Sequence, residues 1–330
     1  MKVPEILSAL PGLSALVVGD ICLDRWCTYD PATAEPSRET GIPRIGVVAT
    51  EVTPGAGGTV ANNLAALGVG RVAVLGVTGD DGFGFELRRA LEVRRIEAQR
   101  LVACGELQTF TYTKVINASN GVEDRPRLDF IRTQPLASDV DQRIVAGLKE
   151  MAAGFQVILV ADQAETDLGG AVTPAVREAL AECAAREPEK IIWVDSRMRP
   201  EMFRRVIVKP NQQEADAACR RLSAQTDYEA LRNHIDAPLL LVTHGGDGVL
   251  LCTRAGREWI KTRKVDDPVD ICGAGDSFSA GAAMALAASA SPAEAARFGN
   301  LVASITIMKK GTGTASPAEV LQAAYEHPGN

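Results

Sequence analysis

Asp270 and Asp276 bracket a bare turn, Asp-Ile-Cys-Gly-Ala-Gly-Asp, and a long Ala-rich stretch begins directly behind it. A turn this rich in glycine brings main-chain N–H groups close to a ligand, and a helix starting at its end adds a partial positive charge, so together they make an anion site. A carboxylate inside an anion site repels a bound phosphate unless it has work there, such as taking the proton of the group that attacks the phosphate. The plain alternative for Asp276 is an N-cap acid that satisfies free N–H groups. The Walker lysine pattern and the six-residue dinucleotide fingerprint are both absent, so this is neither a P-loop nor a Rossmann phosphate turn.

Other polar groups fall where short apolar runs end: Gly19-Asp20, Asp162, Asp195, Asn211 and the stretch Thr243 to Gly248. In open parallel sheets ligands sit beyond the carboxyl ends of the strands, so these five endings and the 270–276 turn mark one site. Asn211 and Glu214 stand at N-x-x-E spacing. That is a capping-box helix start, and equally a pair that organises Mg²⁺ through water, since Mg²⁺ keeps much of its hydration shell. Gly245, Gly246 and Gly248 follow an apolar run and suit a hairpin turn. His244 has no Ser or Cys nucleophile near it in sequence and reads as turn-lining.

The elements that must position these groups follow a rhythm. Apolar, β-branched runs at 14–23, 71–79, 156–162, 190–195, 205–211 and 237–246 alternate with helix-like segments at 57–67, 81–94, 139–153, 173–186 and 211–221. This predicts an α/β fold, a doubly wound, mostly parallel sheet flanked by helices, as a single domain over 1–330. About 25–53 and 106–134 break the rhythm with alternating strings, and predict a small β-sheet lid over the end of the large sheet. Its exposed edge also predicts a homodimer through the lid. Two small-residue helices follow, at 277–290 and 291–310, joined at Ser291-Pro292.

The composition bounds the partners. With 46% apolar and 23% charged residues the chain is an ordinary globule, and a net charge of −7 without a basic run argues against nucleic-acid or anionic-membrane surfaces. Small molecules remain. Seven scattered cysteines with no C-x-x-C pair predict a reducing, cytoplasmic setting. The first residues predict a short helix leading into the first strand rather than a signal peptide.

With these residues assembled, the chain resembles the ribokinase-like, or PfkB-type, carbohydrate kinases over essentially its whole length. The points of likeness come in order: Gly19 to Asp24, PGAGGTVANNLAALG at 54–68, Asn211 to Glu214, Thr243 to Gly248, and Asp270 to Asp276. Within that family GDICLDRW, RLDF and ITIMKKGTGTASP are most similar to the kinases of heptose 7-phosphate. The resemblance implies an ATP-dependent sugar or sugar-phosphate kinase. In it Asp276 is the base that deprotonates the acceptor hydroxyl, and the N–H groups of Gly273, Ala274 and Gly275 form the anion hole. Asn211 and Glu214 match the Mg²⁺-organising pair, and Thr243, Gly245 and Gly248 the nucleotide phosphate contacts. Asn300 falls in the nucleoside pocket, while Asp24, Gly55, Thr59 and Asp162 fall at sugar positions. Asp270 with the Lys310-Gly311 turn matches a monovalent cation site, taken by K⁺ in several members.

The departures are specific. Cys272 replaces the usual Thr of the signature, and Thr59 stands where the family carries a sugar-contacting Asn. Where the heptose kinases carry D-Y-x-K-G and D-P-K-G, this chain has ADQAETDLGG and VDSRMRP, so the lysines that hold a sugar phosphate are missing, and Arg197 and Arg199 are the candidate substitutes, with a different geometry. No nucleotidyltransferase H-x-G-H motif is present, so the kinase half alone is expected. Two alternatives stand beside the sugar kinase: a nucleoside kinase of the same fold, marked by an aromatic clamp under the lid, and a catalytically idle sugar or nucleotide sensor.

Overall fold

The computed structural model describes residues 2–166, 168–223 and 225–326. Eight strands form the main sheet: β1 (Ser14–Gly19), β4 (Arg71–Leu75), β9 (Val157–Asp162), β10 (Ile191–Ser196), β11 (Ile207–Val208), β12 (Leu240–Thr243), β13 (Val249–Thr253) and β14 (Gly256–Ile260). Their order is β14-β13-β12-β11-β10-β9-β1-β4. The pairs from β4 to β12 are parallel, and β13 and β14 close one edge as antiparallel strands. A second sheet has the order β3-β2-β7-β8, from β2 (Ile21–Tyr29), β3 (Val47–Ala56), β7 (Thr111–Asn117) and β8 (Leu128–Phe130). Short strands β5 (Val77–Gly79) and β6 (Val102–Cys104) pair separately.

Period-two alternation in the central strands feeds two cores. Val17, Leu159 and Trp193 point to one face, where they meet α1 (Val3–Ala9), α2 (Gly57–Ala66), α3 (Gly82–Val93), α8 (Ala274–Ala287), α9 (Pro292–Thr306) and α10 (Pro317–Glu326). Leu16, Val160 and Val194 point to the other, against α4 (Ser138–Met151), α5 (Pro174–Arg186), α6 (Gln212–Leu222) and α7 (Tyr228–Ile235). Strands buried on both faces read as continuous apolar runs, which is why they were visible in the sequence. Each large side chain so enclosed contributes about 1.5–3 kcal/mol. Ser291 caps α9 through a capping box with Glu294, where the Ser-Pro start predicts it.

Four expected strands are divided or cut short: 71–79 splits into β4 and β5, and 237–246 yields only Leu240–Thr243. The run 14–23 is not one strand, because the chain leaves the main sheet at Asp20, whose N–H makes the last bond to Ala161 O (2.9 Å), and enters the small sheet at Ile21. The run 205–211 yields only Ile207–Val208. Arg205 sits at φ 61°, outside extended backbone, and Pro210 has no N–H for a ladder. Among the described residues no helix is long and apolar enough to cross a membrane. All seven cysteines are free thiols.

Candidate active site

Register in the small sheet builds one wall of a cavity. Strands β2 and β7 pair so that Asp24 lies beside Tyr112 and Trp26 beside Lys114, and residues two apart share a face. Asp24, Trp26, Tyr112 and Lys114 therefore converge. With Arg127, Thr59, Gln163, Arg197, Cys272, Gly273, Asp276 and Thr312 they line about 170 Å³ between the small sheet and the start of α8. Asp24 is 9% exposed, and no hydrogen-bond donor of the protein reaches its carboxylate among the described residues. Gly55 leaves room beside it, because a methyl group there would press on an Asp24 carboxylate oxygen and displace that side chain. Thr59 is spent on Pro54 O (3.2 Å) and faces Gly273 with its methyl group.

The opposite wall is the 270–276 turn. Gly273 is the α8 N-cap at φ 79° and ψ 5°, a left-handed conformation that costs an L side chain about 1–2 kcal/mol. Ala274 N–H already meets Ile271 O (3.2 Å). The N–H groups of Gly273 and Gly275 have no acceptor among the described residues, as the free first turn of a helix requires. Asp276, in that first turn, does not cap the helix with its side chain. Its carboxyl lies deep in the turn, and burial, reinforced by Asp195, pushes it up to about 8, with Lys209 pulling the other way. Burial likewise raises Asp24 to about 7 against the pull of Lys114 and Arg127. Asp270 accepts from Cys272 N (2.9 Å) and Gly311 N (3.2 Å), tying the two sides of the turn together.

The Asn211–Glu214 and Thr243–Gly248 motifs come together at the neighbouring strand ends. Asn211 and Glu214 form a reciprocal capping box (2.9 and 2.7 Å), and Asn211 bridges directly to Thr243. Gly245 and Gly248, at φ 57° and 123°, turn the chain after β12. His244 lies against Trp259 and Gln212, within this turn. Glu214 spends one oxygen on Asn211, and burial with Asp195 nearby raises its carboxyl to about 7. Such a group takes on a cation readily. Its other oxygen has no protein donor among the described residues, and one carboxylate oxygen beside an amide fits an ion that keeps most of its water, as Mg²⁺ does. Asn300 sits apart in a small recess with Arg263, Arg297 and Ser304, its Nδ2 buried and unpartnered.

Asp162 does not reach the cavity. It is 1% exposed and is held by Arg199 (2.7 and 3.0 Å) and by Ser196 (2.7 Å), so this residue and Arg199 neutralise each other inside the protein. Arg197 does line the cavity, 2.5 Å from Glu165. Two cations were missed from the sequence: Lys114, and Arg127, which pairs with Asp129 and lies 4.8 Å over the Tyr112 ring. Lys209 was missed as well, and a lysine closing the apolar run Val206-Ile-Val208 is the signal that marks it.

Asp20, Asp24 and Asp276 titrate between about 6 and 8 in the fold, against an ordinary 3.8. Between those limits the folded chain holds more protons than the unfolded one, so stability falls as pH rises. Carboxyls that the fold pulls down, such as Asp81 and Glu97, have lost their protons in both states by about pH 6 and do not offset this. The ligand-free protein is expected to melt at a lower temperature at pH 8 than at pH 6; a melting temperature that climbs across that interval counts against the placement of these carboxyls.

The family model described as pfkB family carbohydrate kinase matches residues 16–319. Curated relatives named bifunctional protein HldE are 30% identical over 322 residues in Trichlorobacter lovleyi and 31% over 327 residues in Geobacter metallireducens. The matches cover 96% and 97% of this chain but 64% of each relative, so the chain spans under two thirds of their length. Among solved structures, phosphofructokinase-2 from Escherichia coli in complex with potassium superposes with a TM-score of 0.71 at 20% identity, covering 95% of this chain and 99% of that one. Ribokinase from Thermotoga maritima does so at 0.69 and 20% identity, with the same coverage.

Proposed function

The chain belongs to the pfkB family of carbohydrate kinases, and from that membership we propose that it moves the γ-phosphoryl group of ATP to a hydroxyl of a sugar that already carries a phosphate. One observation carries the finer reading. The cavity sets two carboxylates, Asp24 and Asp276, against three cations, Lys114, Arg127 and Arg197. Carboxylates suit hydroxyls, and converging cations suit a second phosphate. A heptose phosphate is the acceptor that the likeness to the HldE proteins favours.

In this reading Asp24 orients the sugar, and Asp276 takes the proton of the attacking hydroxyl as its oxygen bonds to phosphorus and ADP departs. The N–H groups of Gly273 and Gly275, with help from Ala274, receive the charge that spreads over the phosphoryl oxygens. Thr243, Gly245 and Gly248 border the remaining phosphates, and Asn300 the nucleoside. Glu214 and Asn211 would hold Mg²⁺ through water, and the ion supplies neutralisation of the triphosphate. Each Asp270 oxygen keeps a lone pair, which suits a K⁺ ion beside the Gly311 turn. The small sheet serves as the lid of this single domain, and its β3 edge, with Val47 and Val48 exposed, as the dimer contact.

Trp26 and Tyr112 beneath the small sheet favour a nucleoside acceptor as the second reading, but Arg127 already covers a face of Tyr112. ADP release should be measured with fructose, fructose 6-phosphate, sedoheptulose 7-phosphate and adenosine as acceptors. Phosphorylated sugars are expected to exceed their unphosphorylated counterparts by about 10–100-fold in kcat/KM, and Arg127→Met to remove most of that difference. Preference for adenosine establishes the nucleoside reading instead, and ATP binding with no turnover on any acceptor establishes the sensor.

A further inference from the structure

Lys209 follows the short strand β11 and is 3% exposed. Its Nζ lies 2.7 Å from Asp195 Oδ2, which is itself buried at the end of β10. Withdrawing two charges from water costs several kcal/mol per ion, and an apolar pair fills the same space without that cost, so packing alone does not account for the pair. An ammonium offers three donors, and Asp195 is the one partner the Lys209 side chain has among the described residues. A methyl group on Gly275 would stand 3.3 Å from the same Nζ. The unused donors therefore open beside the 273–276 turn, among Asp195, Glu214 and Asp276.

We propose that Lys209 is a further catalytic residue, donating through its free N–H groups to the terminal phosphoryl group of the nucleotide, and that Asp195 is the positioning residue that aims it; this rests on reading the 273–276 turn as the phosphoryl cradle. Phosphoryl transfer depends on charge stabilisation fixed in advance, and a buried ammonium supplies it without solvent rearrangement. Lysine is a point charge on a flexible stem, without the rigid fork of arginine, so it needs a second group to fix its direction. Asp195 is that group.

Calorimetric titration with MgADP and with the magnesium complex of adenosine 5′-(β,γ-imido)triphosphate tests this without knowing the acceptor. The variant is Asp195→Asn/Lys209→Met, which removes both members of the buried pair together. It should lose about tenfold in affinity for the triphosphate analogue while MgADP affinity stays within about twofold. Asp195→Asn alone should weaken the analogue in the same direction, leave MgADP unchanged, and add nothing once Lys209 is Met. If the double variant does not fold, Lys209→Arg keeps the charge pair and should still cost the analogue several-fold with MgADP unchanged. Equal weakening of both nucleotides, or full retention of both, overturns the assignment. A wild-type protein that binds neither nucleotide, or whose Asp276→Asn variant turns over normally, brings down the cradle reading itself.

Discussion

Asp276→Asn is expected to leave the melting temperature within a few degrees of wild type and to lower turnover by about 10²–10⁴-fold, the range that one general base contributes. Loss of one carboxylate from the turn disturbs little packing, because Asp276 does not cap α8 with its side chain. Its chemistry is another matter. The base must be ionised to accept a proton, and burial beside Asp195 holds it up to about 8 in the ligand-free protein. The kcat/KM of the wild type should accordingly rise with pH and level off above about 8, and this limb should vanish in the variant. A variant within tenfold of wild-type turnover on the same acceptor means that another group takes the proton.

The second large effect concerns stability. Arg199→Leu leaves Asp162 buried with Ser196 as its one remaining side-chain hydrogen-bond partner among the described residues, and breaking a buried pair in this way costs about 3–5 kcal/mol. The urea midpoint should drop accordingly. Asp162→Asn/Arg199→Leu should recover more than half of the loss, because no charge is then left unpaired. If Asp162 instead serves the acceptor, Arg199→Leu keeps its midpoint and raises acceptor KM by about tenfold or more, the value of one charged hydrogen bond.

These two residues show what the sequence could and could not disclose. The strand-end rule finds both Asp162 and Asp276, since both follow apolar runs or open a helix after a glycine turn. It says nothing of which way each carboxylate is neutralised. Asp276 keeps an open face because Gly273 swings the chain into a left-handed cap, a signal written locally. Asp162 loses its face to Arg199, a partner 37 residues away, and no local pattern records that. The parallel sheet and its two helical layers were legible for the same local reason: strands buried on both sides cannot alternate, whereas amphipathic helices must. The cations Lys114 and Arg127 were not. On a half-buried strand a basic residue reads as solvent-facing, and the register of β2 against β7 is what turns Lys114 toward Asp24.

Asp20 joins the two sheets, and it does so alone: β1 ends at Gly19 and β2 begins at Ile21, while β3 passes into α2 at Ala56 and Gly57 without an intervening residue. Its carboxylate grips Gln163 N (2.9 Å), Ala164 N (3.0 Å) and Ala171 N (2.7 Å), and its carbonyl takes Gly57 N (2.9 Å). Strands welded end to end with so little slack rule out a loosely tethered flap. Any rocking of the four-stranded layer must flex at Asp20 and at the β3–α2 junction together and pull on Gln163, Ala164 and Ala171, so opening the cavity mouth and reshaping its floor are a single mechanical motion.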